Sequence, residues 1–253
     1  MPTYAKIING LSDLGLHEMQ NHIDFYADLV NKGEKSFTQA FEELIKIEKD
    51  SNKIRAENAC VKTAGFPFYK TMDEFDFSFQ PNINKRELLD LNQLNFIDKQ
   101  ENILFVGSSG VGKTHLAVSI GISAARARYS TYFITFEALM NQLKKALIEN
   151  RLESRLKFFA KYKVLIIDEI GYMPIDQDSS NLFFQLIARR YEKHCTIITT
   201  NMPFSKWADI FGSATLANAI LDRLLHHSQI VSIKGPSYRL KEKRAFLESQ
   251  AEE

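Results

Sequence analysis

Ile103-Leu-Phe-Val106 runs directly into Gly107-Ser-Ser-Gly-Val-Gly-Lys-Thr114, and a helical stretch from His115 to Arg128 follows. The loop matches G-x-x-x-x-G-K-[ST] in full and stands between a predicted strand and a predicted helix, the context its chemistry needs. Glycines let the backbone curl so that its N–H groups face phosphate oxygens, and the helix N-terminus adds a favourable partial charge. Lys113 is placed to reach the β- and γ-phosphates, and the Thr114 hydroxyl to hold Mg²⁺. The expected nucleotide cradle is Gly107, Ser108, Ser109, Gly110, Val111, Gly112, Lys113, Thr114 and His115. The reading is a nucleoside triphosphate site with Mg²⁺.

Working outward, further short apolar runs alternate with helical stretches: Thr131-Tyr-Phe-Ile134, Val164-Leu-Ile-Ile167, Thr196-Ile-Ile-Thr199 and Ile230-Val-Ser-Ile233. Continuous apolar strands spaced by helices predict an α/β fold, a parallel sheet covered on both faces. Val164–Ile167 delivers Asp168 and Glu169 to a strand's carboxyl end, where open parallel sheets bind ligands. Asp168 is expected to position the Mg²⁺ hydration shell, and Glu169 to orient and deprotonate the attacking water. Thr199-Thr-Asn201 ends the next strand, and Asn201 is placed to share that water and sense the γ-phosphate. Along the chain, strand 131–134 lies between the lysine loop and Asp168, so strands 103–106 and 164–167 are not expected to be neighbours. By fold analogy, an added strand with a catalytic Glu is the arrangement of ring- and filament-forming ATPases. Cys195 reads as a small packed hydrophobe.

The chain has 253 residues, 45% hydrophobic and 25% charged, with a net charge of +1. That composition excludes wholesale disorder. No apolar stretch is long enough to span a membrane, and the first residues lack a signal core, so the expectation is cytoplasmic with no membrane partner. Two cysteines, Cys60 and Cys195, make neither a disulfide framework nor a four-ligand zinc site.

Four segments are expected: a helical N-terminal domain (1–62), a linker and start of the ATPase domain (63–100), the P-loop ATPase domain (101–240) and a polar tail (241–253). In the first, Leu16, Met19, Ile23, Tyr26 and Val30 mark one apolar stripe, and Phe37, Ala40, Phe41, Leu44 and Ile47 a second, opened by the capping-box pattern Ser36-Phe-Thr-Gln39. Nine basic and ten acidic residues up to Lys70 give this part no basic bias. The Phe-rich segments 64–68 and 75–81 suit packing onto a domain better than base stacking.

Five stretches together resemble one family over nearly the whole chain. They are Gly110-Val-Gly-Lys-Thr-His-Leu-Ala117, Ile167-Asp-Glu-Ile-Gly-Tyr172, Thr199-Thr-Asn201, Leu221-Asp-Arg-Leu-Leu-His-His227 and Gly235-Pro-Ser-Tyr-Arg-Leu240. They look like those of IstB-type proteins, the AAA+ helper ATPases of insertion-sequence transposition, whose relatives include DnaC-type helicase loaders. The resemblance implies an AAA+ P-loop sheet with helices on both faces, a small helical domain before it and a reduced helical lid at its end. It implies two further roles. Arg223 matches the arginine finger that enters a neighbouring subunit's ATP, and Arg239 matches the second sensor, which reaches the γ-phosphate from the lid. Planar guanidinium donors suit either task. His226 and His227 read as structural or interface residues, and no metal site is expected there. Ser108-Ser109 stands where family members commonly carry two prolines, a change that hydroxyls near phosphates accommodate.

Between Arg126 and Lys163 lie nine basic and three acidic residues, a net +6 that leaves −5 for the rest. This window coincides with the region where initiator-type AAA+ proteins carry extra helices facing nucleic acid. Lys144, Lys145, Arg151 and Arg155 are therefore the expected DNA contacts, made through phosphates and weakly sequence-dependent. The function expected is a DNA-stimulated ATPase that assembles as a homo-oligomer on double-stranded target DNA and recruits or activates a cognate transposase. A DnaC-like helicase loader is the alternative within the class, and a nucleotide-dependent scaffold on DNA the alternative outside it. Glu169 argues against the scaffold, because a pure binder needs no catalytic carboxylate.

Overall fold

The structure, a computed structural model, describes residues 2–171 and 174–241. The chain divides into two compact units, one running to Ala59 and the other starting at Cys60. Tyr172 of the resembling stretches and nearly all of the expected tail 241–253 lie outside the described residues. Among the described residues, no helix is long and apolar enough to cross a membrane.

The first unit holds α1 (Thr3–Asp13), α2 (His17–Asn31) and most of α3 (Phe37–Thr63). Its core is Met19, Tyr26, Ala40 and Leu44. The capping box at the start of α3 forms as expected: the Ser36 N–H donates to Gln39 Oε1 at 2.9 Å, and the Gln39 N–H to Ser36 Oγ at 3.3 Å. Phe37 and Phe41 depart from the expected apolar stripe. Both are exposed and stack on each other at 5.8 Å, because the buried face of α3 follows Ala40 and Leu44 instead. The N-cap position of α2 is Leu16, whose side chain cannot accept a hydrogen bond. Glu48, reaching from α3, takes over, its carboxylate accepting the N–H groups of Glu18 and Met19 at 2.8 and 3.0 Å.

The second unit is built on five parallel strands: β1 (Asn102–Gly107), β2 (Thr131–Thr135), β3 (Val164–Ile170), β4 (Cys195–Thr200) and β5 (Ser228–Ile233). Their order is β2-β3-β4-β1-β5. Strands β1 and β3 are therefore not neighbours, as expected. The strand between them is β4, not the 131–134 strand, which lies at the sheet's edge. Consecutive residues on each strand face opposite layers. Ile103, Phe105, Ile166 and Ile197 meet α6 (Lys113–Arg126) and residues contributed by 61–97. Leu104, Leu165, Ile167 and Ile198 meet α7 (Phe136–Ile148), α8 (Leu152–Ala160), α9 (Gln177–Arg190), α10 (Trp207–Phe211) and α11 (Ala214–Leu225). Covering both faces is why the strands are apolar without alternation.

The Phe-rich segment packs onto this sheet layer. Ala64 is fully buried, its carbonyl accepts the Phe133 N–H at 2.8 Å, and Met72 and Phe75 join the core with Leu88 and Leu91 of α4 (Lys85–Asn92) and Phe96 and Ile97 of α5 (Asn95–Asp98).

Arg190, at the end of α9, is buried, and among the described residues it has no carboxylate partner. Its guanidinium donates instead to Thr196 Oγ1 and to the carbonyls of Phe159, Ala160, Tyr162 and Cys195. Burial brings its pKa down to about 9. The carbonyls close the end of α8 and the start of β4, so Arg190→Met strips donors from a buried cluster. Each unsatisfied buried group costs about 1–3 kcal/mol, and urea unfolding of the variant is expected to lose about 3 kcal/mol or more. A loss under about 1 kcal/mol would show that water replaces the guanidinium freely.

Candidate functional site

The loop Gly107–Thr114 joins β1 to α6. Gly112, at φ +100°, is the N-cap of α6, and Gly110 stands at φ +80°. Both conformations favour glycine, and space forbids anything larger. A Cβ on Gly112 would lie 2.6 Å from the Phe75 ring, and one on Gly110 would lie 2.1 Å from Ser237 Oγ. The free amides of the first α6 turn open onto a cavity of about 490 Å³ lined by Ser109 to His115, Asp168, Glu169, Thr199, Asn201 and Arg239. That volume is in the usual range for small-molecule sites.

Lys113 is buried and donates to the loop carbonyls of Gly107 and Ser108 at 2.8 and 2.7 Å. Burial lowers its pKa below the ordinary lysine value. Asp168 opposes that shift, Arg239 adds to it, and Glu169 opposes it. Asp168 is also buried, and accepts the Thr114 hydroxyl at 3.0 Å and the Thr199 hydroxyl. Burial raises its carboxyl above the usual range, while Thr199, Thr114, Lys113 and Arg239 pull it back. A buried carboxylate beside a threonine hydroxyl at an anion-binding helix start is an oxygen donor set that suits a hard divalent cation.

Glu169 owes its place to an irregularity. Strands β3 and β4 run in register to Ile167 opposite Ile198, then slip and resume at Ile170 opposite Thr200. The slip falls on Asp168-Glu169, and Glu169 takes φ +66°, a left-handed conformation uncommon outside glycine. The Glu169 N–H donates to Thr199 Oγ1 at 2.9 Å. One threonine thus ties the two acids together, aiming Asp168 at the loop and leaving the Glu169 side chain exposed in the cavity. Strain of this kind collects at functional sites.

Asn201, just past β4, lines the same cavity, and its side-chain oxygen is buried with no hydrogen-bond partner in the described structure. Arg239 enters from the far end of the chain. The Tyr238 N–H donates to the Gly110 carbonyl at 2.9 Å, fastening this segment to the loop. Residues 238–241 are helical, and the rest of the expected lid lies outside the described residues. His115 also borders the cavity, but its Nε2 meets the Thr71 carbonyl at 2.9 Å and its ring packs on Phe75. Burial lowers its pKa. It fastens residues 68–75 to the loop rather than pointing a free donor at a phosphate.

Arg223 is not brought to this cavity. It stands on α11 with its guanidinium 4.7 Å from the Phe184 ring and one N–H on the Ala219 carbonyl at 2.9 Å. The expected basic face is also not a free stripe. Lys144 pairs with Asp176 at 2.6 Å, Arg151 pairs with Glu149, and Arg155 lies over Phe158 and Phe159 and bonds Gln142. Lys145 is exposed.

Sequence reasoning missed Thr199, the link between Asp168 and Glu169, and the wall made by Lys70, Phe75 and Phe79. Thr199 carried a signal, since it precedes Asn201 at the carboxyl end of a strand.

The model of the IstB-like ATP binding protein family matches residues 9–246. The chain belongs to the IstB-like ATP-binding protein family. Relatives of this IstB-like chain include a protein named as an ATP-binding protein of insertion sequence IS232 from Bacillus thuringiensis subsp. berliner. It is 52% identical over 95% of this chain and 96% of that protein. The one named for IS21 in Pseudomonas aeruginosa is 41% identical over 92% and 88%. Among solved structures, a DnaC helicase loader matches with TM-score 0.54 at 23% identity, over 69% of this chain and 98% of that one. AMPPCP-bound DnaA from Aquifex aeolicus matches with TM-score 0.58 at 16% identity, over 73% and 56%. These likenesses agree with the parallel P-loop AAA+ sheet read from the strands, and at such identities they speak for the fold alone.

Proposed function

We propose that this IstB-like chain hydrolyses ATP, assembles with copies of itself on double-stranded DNA, and there recruits or activates a cognate transposase. The observation that carries the reading is the strained Glu169, set beside Lys113, Thr114 and Asp168 around one cavity with the unpartnered Asn201 oxygen.

In this reading the loop amides and Lys113 hold the triphosphate, with Lys113 exchanging its two loop carbonyls for phosphate oxygens. Thr114 and Asp168 hold Mg²⁺, which when bound neutralises charge on the phosphates. Glu169 accepts a proton from the attacking water, and Asn201 fixes that water's orientation. Arg239 meets the γ-phosphate in cis. Arg223, which lines no part of its own cavity, serves the site of a neighbouring copy, so a complete site needs an oligomer, ring or helical. The fold is shared with helicase loaders and does not separate the two functions. The relatives named for insertion sequences favour transposition.

DNA contact falls to the α7–α8 region. Lys145 and Arg151 are the most exposed of the four basic residues, and Lys144, Arg151 and Arg155 reach phosphates only by leaving their present partners. The Lys145→Ala/Arg151→Ala variant is expected to weaken duplex binding alike for unrelated sequences. It should also flatten the log-affinity against log-salt slope by about 0.9 per lost contact, with ATP affinity unchanged. Fluorescence anisotropy over a salt series, with ATP and without, reads this. An unchanged slope moves the DNA contact elsewhere. ATP-independent duplex binding contradicts nucleotide-driven assembly.

A further inference from the structure

The paired histidines end α11, well away from the loop and its acids. His226 is the helix C-cap and His227 follows it. Adjacent side chains at a helix end normally diverge, yet these two rings converge to a centroid separation of 4.0 Å. Between them stands Glu192, in the turn from α9 to β4, held at φ +55°. Its Oε1 lies 3.6 Å from His226 Nδ1 and 3.6 Å from His227 Nε2. All three ligand atoms fall within 4.8 Å of one another, and all three residues are exposed.

We propose that Glu192, His226 and His227 form a binding site for a divalent transition-metal ion of the zinc class. Nitrogen and carboxylate ligands sit about 2.0–2.2 Å from zinc, so neighbouring ligands of a tetrahedron stand about 3.3–3.6 Å apart. The two separations from Glu192 match that edge. They are too long for hydrogen bonds, so without an ion between them Glu192 is held to either ring only by charge attraction, and only when that ring is protonated. Two imidazoles and a carboxylate suit zinc, nickel or copper and not magnesium or calcium. Tyr191 supplies the outer partner. Its hydroxyl lies 2.7 Å from His226 Nδ1 and is also hydrogen-bonded to Glu192, so on metal binding it turns wholly to the carboxylate. The ligand set leaves a fourth position for water. The ion ties the α9–β4 turn to the end of α11, one turn beyond Arg223.

The test uses the full chain, stripped with a chelator and titrated with Co²⁺ in excess Mg²⁺, so that Thr114 and Asp168 face their own cation. The expected result is one Co²⁺ per chain with the visible ligand-field bands of a four-coordinate ion. Thiolate charge transfer should be absent, and Zn²⁺ should displace the Co²⁺. Glu192→Gln and His227→Ala are each expected to weaken binding by about tenfold or more, and His226→Ala/His227→Ala to abolish the bands. Zn²⁺ should raise the melting temperature of the parent chain and not of the double variant. All three positions are exposed, and circular dichroism is used to check that the variants fold. Two results would overturn the proposal: no four-coordinate cobalt spectrum at large metal excess, or a spectrum that survives in the double-histidine variant.

Discussion

Glu169→Gln is expected to keep ATP binding and lose nearly all turnover, falling by about 10²–10⁴ as general-base catalysis is removed. The substitution keeps size and the backbone hydrogen bond to Thr199, which belongs to the main chain. It leaves the hydrogen bonds of Lys113, Thr114 and Asp168 intact, because none of them uses the Glu169 side chain, and takes from Lys113 only the smallest of the charges acting on it. The effect should therefore appear in kcat and not in nucleotide affinity, and an equilibrium binding assay run beside steady-state turnover on duplex DNA separates the two. Equal turnover in the parent and the variant would remove Glu169 from the chemistry.

The second large effect is on Arg223. A finger arginine is worth about 10³–10⁵ in rate in the GTPase examples, so Arg223→Ala should be nearly silent although the residue lines no part of its own cavity. Mixing Arg223→Ala with Glu169→Gln chains should restore activity. At random assembly, about a quarter of the interfaces pair an intact Glu169 with an intact Arg223 from the neighbour, setting recovery at about a quarter of the parent rate. The mixture must exchange subunits, which fluorescence energy transfer between labelled chains confirms. No recovery under exchange would place Arg223 in cis or in a structural role, anchored on Phe184 as it is.

The parts of the site that were legible are those whose chemistry is written in consecutive residues. The glycine loop, Lys113-Thr114 and the Asp168-Glu169 pair each sit at the carboxyl end of an apolar strand, and the parallel topology brings those ends together. What was not legible depends on register and distance. That β4, and not the 131–134 strand, separates β1 from β3 follows from the packing of whole layers. The slip that puts Glu169 at positive φ needs the pairing of β3 with β4, and no local residue type announces it. Thr199 acts on both acids only because that pairing sets it opposite them. The basic residues of α7 and α8 read as a stripe by composition. Asp176, which takes Lys144, lies far along the chain from it, and Glu149 and the Phe158/Phe159 rings, near Arg151 and Arg155 in sequence, engage them in a way a net charge does not describe. Glu192 is likewise remote in sequence from the histidine pair it joins. Phe37 and Phe41 mislead for a simpler reason: on a helix packed along a narrow face, apolar residues one position off that face remain exposed.

In the proposed function, ATP is hydrolysed at a site completed by a second copy of the chain. Steady-state ATP turnover per subunit, measured on long duplex DNA across a wide range of protein concentration, tests it most directly. Turnover per subunit is expected to rise steeply with concentration and then level off as neighbours fill. A turnover per subunit that is constant down to the lowest concentration, where chains are shown to be single, would contradict it.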